Sequence, residues 1–220
     1  MRICPAKAFS RSSMTTSMSD IVCVTNRKLC GGDLLSQIEK IAAARPKAII
    51  LREKDLSPEE YRSLAEKAMA VCSRYGTPCI LHSFVETAAE IGAEAIHLPL
   101  HILKNMPDDV KRAFRCIGAS CHSPEDAAEA ERLGASYITA GHVFATDCKK
   151  GLPPRGLDFL RAVCESVSIP VYAIGGITPE NIETAMACGA SGGCIMSGLM
   201  KCDDPLGYIG GDNSVQQEFP

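Results

Sequence analysis

Short apolar runs punctuate this chain at near-regular intervals, at 21–25, 48–51, 78–81, 94–98, 116–119, 137–140, 171–174 and 193–196. They are rich in Ile, Val and Leu and lack clean polar alternation. That is the pattern of strands buried on both faces, as in parallel sheets. The stretches between them are amphipathic. The clearest places Tyr61, Leu64, Ala65, Ala68, Met69, Cys72 and Tyr75 on one helical face.

Two punctuation marks recur. Ser57-Pro58-Glu59, Ser123-Pro124-Glu125 and Thr178-Pro179-Glu180 each supply an N-cap hydroxyl followed by proline at the first helical position. Ser57 with Glu60 also fits a capping box. Gly92-Ala93, Gly134-Ala135 and Gly189-Ala190 each end a helix just before a strand candidate. Eight strands alternating with helices predict an α/β fold, a (β/α)8 TIM barrel. An open doubly wound sheet is the runner-up, disfavoured by the strand count and by the absence of G-x-G-x-x-G. Gly207, Gly210 and Gly211 break any long helix after the last strand, so the closing helix should be short or degenerate.

Composition narrows the class. With 220 residues, 46% hydrophobic and 22% charged, one domain with a sizeable core is expected. We place the barrel at 20–202 and a tail at 203–220. Residues 1–19, basic and rich in Ser and Thr, read as a disordered extension, a transit peptide being the alternative. A net charge of -3 argues against a nucleic-acid partner. No apolar run approaches the ~20 residues of a membrane span. The 12 cysteines are scattered without a C-x-x-C pair, which favours reduced thiols and a cytoplasmic location.

Candidate chemistry gathers at the carboxyl ends of the strands, where barrels build their sites. After the sixth run comes Gly141-His142-Val143-Phe144-Ala145-Thr146-Asp147-Cys148-Lys149-Lys150-Gly151. It sets an imidazole, which changes charge near neutral pH, beside cations. After the second run, Arg52 and Lys54 flank Glu53, so both cations can face one side and bind a phosphate or carboxylate. After the seventh and eighth runs, Gly175-Gly176 and Ser197-Gly198 offer peptide N–H groups suited to a phosphate. His97, His101 and His122 read as structural, and no carboxylate cluster suited to a metal is visible.

The segments 51–55, 117–122, 141–156, 173–177 and 196–198 resemble, in order and spacing, the thiamine phosphate synthase/TenI superfamily. The resemblance covers roughly 21–200. It implies a TIM barrel that binds phosphorylated thiazole or pyrimidine precursors of thiamine, here a small thiazole phosphate, with Ser120, Thr146 and Lys149 among the substrate-binding residues. Two branches are open. The synthase branch carries Asn-Asp where this chain has His82-Ser83, and a further Asp where it has Pro99-Leu100-His101. Those Asp residues hold Mg²⁺ and a pyrimidine diphosphate. This chain also has Ile50 in place of a Gln, His142 in place of a Pro, and Cys148 in place of a Thr. Its loop looks instead like that of the thiazole tautomerase branch, whose catalytic group is the His.

The expectation is therefore an isomerase that aromatises a carboxythiazole phosphate, with His142 as the catalytic proton carrier. Gly175, Gly176, Ser197 and Gly198 would hold the phosphate, and Arg52 and Lys54 the carboxylate end. No cofactor is expected, Mg²⁺ entering only under the synthase alternative. A non-catalytic ligand-binding regulator is the third reading. Oligomeric state stays open, a homodimer included.

Overall fold

The strands are buried on both faces because they close on one another. β1 (Ile21–Val24), β2 (Ala48–Leu51), β3 (Cys79–His82), β4 (Ala95–Pro99), β5 (Cys116–Cys121), β6 (Tyr137–Gly141), β7 (Val171–Ile174) and β8 (Gly192–Ile195) form a closed parallel barrel in chain order. The first and last strands meet through Val22 opposite Cys194. This computed structural model describes residues 17–149 and 151–209. The fold is a (β/α)8 TIM barrel. Each strand boundary falls within two residues of its sequence-based limit.

Strand periodicity sorts the core into two layers. Val22, Val24, Ala48, Ile50, Ile80, Tyr137, Tyr172 and Cys194 point into the barrel. Their neighbours Ile21, Cys23, Ile49, Leu51, Leu81 and Ile138 point outward against the helices. Those helices are α1 (Leu34–Ala43), α2 (Pro58–Arg74), α3 (Val85–Glu90), α4 (Leu100–Asn105), α5 (Asp108–Lys111), α6 (Pro124–Arg132), α7 (Gly156–Glu165), α8 (Ile182–Met186), α9 (Ser197–Lys201) and α10 (Pro205–Tyr208). Tyr61, Ala65, Ala68 and Cys72 are the buried face of α2. Gly134 and Gly189 leave α6 and α8 at φ 91° and 103°, where a side chain would be strained. The cysteines whose side chains the structure describes, Cys23, Cys72, Cys121 and Cys194 in the core among them, are free thiols. Among the described residues no helix is long and apolar enough to cross a membrane.

Three expectations need correction. The Ser57 capping box and the Ser123 cap form as read, but Thr178 caps nothing. Its N–H donates to Asn181 Oδ1 at 2.9 Å, and α8 starts only at Ile182. Asn181, not the Thr-Pro-Glu signal, organises that turn. The domain edge also lies earlier than residue 20. Ser17 caps a short 3₁₀ turn, and Met18 is buried in the core. The rest of the predicted extension, residues 1–16, lies outside the described residues. Finally, the predicted tail begins too early. α10 packs against α1, and Ile209 is buried. Gln37 of α1 ties this end down by donating to the carbonyls of Leu199 (2.7 Å) and Cys202 (2.8 Å). The closing helix is short, as expected, and comes in two pieces.

Candidate functional site

The carboxyl ends of the strands form a mouth built in three sectors. The first is a charge clamp between the β1 and β2 loops. Glu53 is buried and accepts from Thr25 Oγ1 at 2.8 Å, from Arg27 N at 3.0 Å and from Arg27 Nη1 at 3.2 Å. Arg27 also forks onto Asp55 at 2.6 and 3.0 Å. Arg27 and then Lys28 hold the Asp55 carboxyl well below the usual carboxylate range.

The clamp engages Glu53 fully with the β1 loop. With Glu53 turned to Arg27, Arg52 and Lys54 keep no ion pair among the described residues. Partial burial lowers the Lys54 ammonium pKa, and the charges of Arg52 and Lys149 lower it further. The β2 and β6 loops thus bring three cations within electrostatic reach of one another. Such a cluster favours an anion between them.

The second sector is a row of aromatic and polar side chains at β3 to β6. Tyr61 donates from its hydroxyl to Leu51 O (2.7 Å) and accepts from His82 N (2.8 Å). His82 Nδ1 meets Ser83 Oγ at 2.7 Å, and its ring stacks on His97 at 5.8 Å. His97 is held at both nitrogens, by Tyr137 Oη at 3.0 Å and Ser120 Oγ at 2.9 Å. Burial pushes both imidazoles down to about 3, helped by the charge of Arg52. They are neutral rings at physiological pH. Gly118 makes this packing possible, because a Cβ there would strike Tyr137 and His97. A pocket of about 250 Å³ opens beside Ser120, lined also by His101, Lys104, His122 and Asp126.

The third sector holds His142. Val143 N donates to Ile174 O and Phe144 N to Gly175 O, both at 2.9 Å, so the β6–α7 loop lies along the end of β7. Gly175 and Gly176 permit that approach. A Cβ on Gly175 would come within 2.7 Å of His142 Cα, and one on Gly176 within 2.7 Å of Phe144 Cβ. Here the expected reading changes. The paired glycines are first of all spacers that seat the His142 loop, and no capped helix follows them directly. Gly198 is likewise a spacer, its Cα faced by the Tyr208 ring. Ser197 opens α9, whose first N–H groups have no acceptor within the helix.

His142 itself is half-buried, and its Nε2 is buried without a hydrogen-bond partner among the described residues. A buried imidazole nitrogen in that state costs free energy unless something reaches it. Thr146 is half-buried and Lys149 exposed in the same loop, and Thr146 and Asp147 are both engaged by neighbours. Lys150 lies outside the described residues.

The residues at the β3 and β4 ends do not suit Mg²⁺, which wants carboxylate or other hard oxygen donors. His82 and Ser83 are bonded to each other, and Pro99, Leu100 and His101 offer no carboxylate. Among the described residues no three His, Cys, Asp or Glu side chains converge to hold a metal. The sequence reading missed Thr25, Arg27, Asp55, Tyr61 and Tyr137 as builders of the mouth. Only the alternation Arg52-Glu53-Lys54-Asp55 hinted at the clamp.

The family model for thiamine monophosphate synthase matches residues 21–199. The chain belongs to the thiamine monophosphate synthase/TenI family. Within it, the chain is 39% identical over 158 residues to a thiamine-phosphate synthase of Caldivirga maquilingensis, covering 70% of this chain and 76% of that one. It is 31% identical over 191 residues to a thiamine-phosphate synthase of Clostridium novyi, covering 84% and 92%. Among solved structures, thiamine phosphate pyrophosphorylase from Pyrococcus furiosus superposes with a TM-score of 0.75 at 28% identity, covering 88% of this chain and 93% of that one. These names side with the synthase branch, not with the tautomerase branch that the β6 loop led us to expect.

Proposed function

We propose that this family member is an enzyme of thiamine biosynthesis that acts on a thiazole phosphate, and that His142 carries a proton in its reaction. The observation behind the proton-transfer reading is the unpartnered, buried Nε2 of His142 at the end of β6. A general base needs a nitrogen free to meet the substrate. In an aromatising tautomerisation, His142 takes the proton from C2 of the dihydrothiazole ring. A proton is then delivered to the exocyclic carbon, which leaves the ring aromatic.

Arg52, Lys54 and Lys149 form the cationic side of the mouth and receive the carboxylate. The peptide groups around Gly175, Gly176, Ser197 and Gly198 receive the phosphate on the β7–β8 side. β6, β7 and β8 are neighbours in the barrel, so this arrangement keeps the ring beside His142. Ser120, fixed by His97, and Thr146 line the approach.

The synthase reading is the second, and the names of the relatives favour it over the first. The chemistry of this mouth opposes it, because a diphosphate leaving group needs charge neutralisation that His82, Ser83 and His101 do not supply. Two assays on the full chain separate them. The first follows aromatisation of the dihydrothiazole carboxylate phosphate in the presence of EDTA. The second supplies thiazole phosphate, pyrimidine diphosphate and Mg²⁺ and looks for thiamine phosphate. The proposal expects turnover in the first and none in the second. Mg²⁺-dependent coupling without aromatisation would make the synthase reading correct. Ligand binding without either reaction would support a regulator.

A further inference from the structure

His142 is held in place through its main chain. Its Nε2 has no partner among the described residues that could fix the ring. Contacts to the backbone do the placing instead. Val143 N donates to Ile174 O at 2.9 Å, and His142 O accepts from Arg155 N at 3.0 Å. A further contact comes from a side chain of the neighbouring strand end. His122 Nδ1 lies 2.9 Å from the carbonyl oxygen of Gly141, the peptide oxygen just ahead of His142. A carbonyl only accepts, so Nδ1 carries the proton and donates it.

His122 is itself fixed. Its backbone N–H donates to Asp126 Oδ2 at 2.9 Å, and Asp126 N donates to Ser123 Oγ at 3.1 Å, at the start of α6. The ring thus reaches from the end of β5 to the end of β6, which pair side by side. On its other side the same segment has no slack. A Cβ on Gly141 would strike Ile174 O at the end of β7. The peptide that leads into His142 is therefore set between His122 on one side and β7 on the other.

We propose that His122 is the positioning residue of His142: it holds the Gly141 carbonyl and, through that peptide, aims the imidazole at the ligand. The inference rests on the reading of His142 as the proton carrier. A misplacement of about 1 Å that starts away from the chemistry can cost ~10²-fold in rate. Loss of this hydrogen bond should therefore appear in kcat and leave affinity alone.

The test compares two variants of the full chain. His122→Leu keeps bulk without a donor. His122→Asn puts an amide N–H donor in the place of Nδ1. The Leu variant should lower kcat for aromatisation about tenfold with KM changed by less than about twofold, and the Asn variant should recover most of the loss. Nitrogen-15 NMR of the His142 side chain supplies a readout that needs no turnover. The His142 signals should move in the Leu variant and return toward the parent positions in the Asn variant. Urea unfolding checks that both variants are folded. The proposal is overturned if His122→Leu leaves either kcat or the His142 signals as in the parent, if its loss lies in KM alone, or if His122→Asn behaves as His122→Leu does. A parent chain that does not aromatise the substrate refutes the proton-carrier reading but not the contact. The NMR comparison then decides alone: His142 signals moved by Leu and restored by Asn support the positioning role, and unmoved signals overturn it.

Discussion

His97 and His142 share one mouth and one side-chain chemistry, and the fold treats them in opposite ways. His97 is buried, and each ring nitrogen meets a hydroxyl. His142 sits two strands further round, with Nε2 buried and unmet among the described residues. The contrast extends to the sectors around them. Between β3 and β6, hydroxyls and imidazoles satisfy one another, and the rings are too acidic to hold a proton at neutral pH. Between β6 and β8, glycines bring the β6 and β7 loops together against His142, whose Nε2 is left without a partner among the described residues. A histidine with both nitrogens engaged is a strut. One held by its backbone with a nitrogen to spare is equipped to act on a ligand.

Replacing each histidine by glutamine should expose the difference most strongly. His142→Gln is expected to lower kcat for aromatisation by ~10²–10⁴, the usual contribution of a general acid–base group. Affinity for thiazole phosphate should change little. His97→Gln should instead cost about 1–3 kcal/mol of stability and affect kcat only modestly, through the freed Ser120. Steady-state kinetics paired with urea unfolding separates these outcomes. Equal loss of kcat in both variants would erase the distinction.

Acid should attack the strut sector selectively. His82 and His97 titrate near 3 when folded and near 6.5 when unfolded. Between those values the unfolded chain binds more protons, so stability rises with pH across the window. It is fully present above pH 6.5 and is lost as pH falls toward about 3. The slope has an upper limit of about 1.4 kcal/mol per pH unit for each histidine. Replacing His97 with Gln should flatten that slope. An unchanged slope in the variant would assign the acid loss to other groups.

At the clamp the expected effect on catalysis is smaller and the main loss is of stability. Glu53→Ala strands Thr25 Oγ1 and the Arg27 N–H groups, and should cost about 2–3 kcal/mol. Because Glu53 also keeps Arg52 and Lys54 free of a counter-ion, the variant should bind thiazole phosphate less tightly as the loop loosens. Unaltered stability would show that Asp55 alone suffices to hold Arg27.

The barrel was legible because double-sided burial writes each strand as a short Ile, Val and Leu run, and because local caps mark helix ends. Ser57 and Ser123 act through neighbours three residues away, so sequence shows them. Thr178 carries the same local signal and fails, because the Asn181 carboxamide takes its N–H and donates to Gly176 O at 2.8 Å. The glycine pair was visible, but its use as a spacer against His142 was not, since that contact joins separate loops. The same holds for the bond between His97 and Tyr137, forty positions apart. No periodicity records such a pairing. The chain's place in its family was legible from the loop motifs. The branch within it was not settled by them, because the loop of β6 and the names of the relatives point in different directions.

The central claim, one strut and one working imidazole, is most directly tested by NMR of nitrogen-15-labelled histidine side chains between about pH 4.5 and about pH 8, with and without thiazole phosphate. The account predicts that the His97 nitrogens stay in their neutral positions across that range and do not respond to ligand. It predicts that the His142 signals move when thiazole phosphate is added. A His97 that titrates in that range, or a His142 indifferent to the ligand, would contradict it.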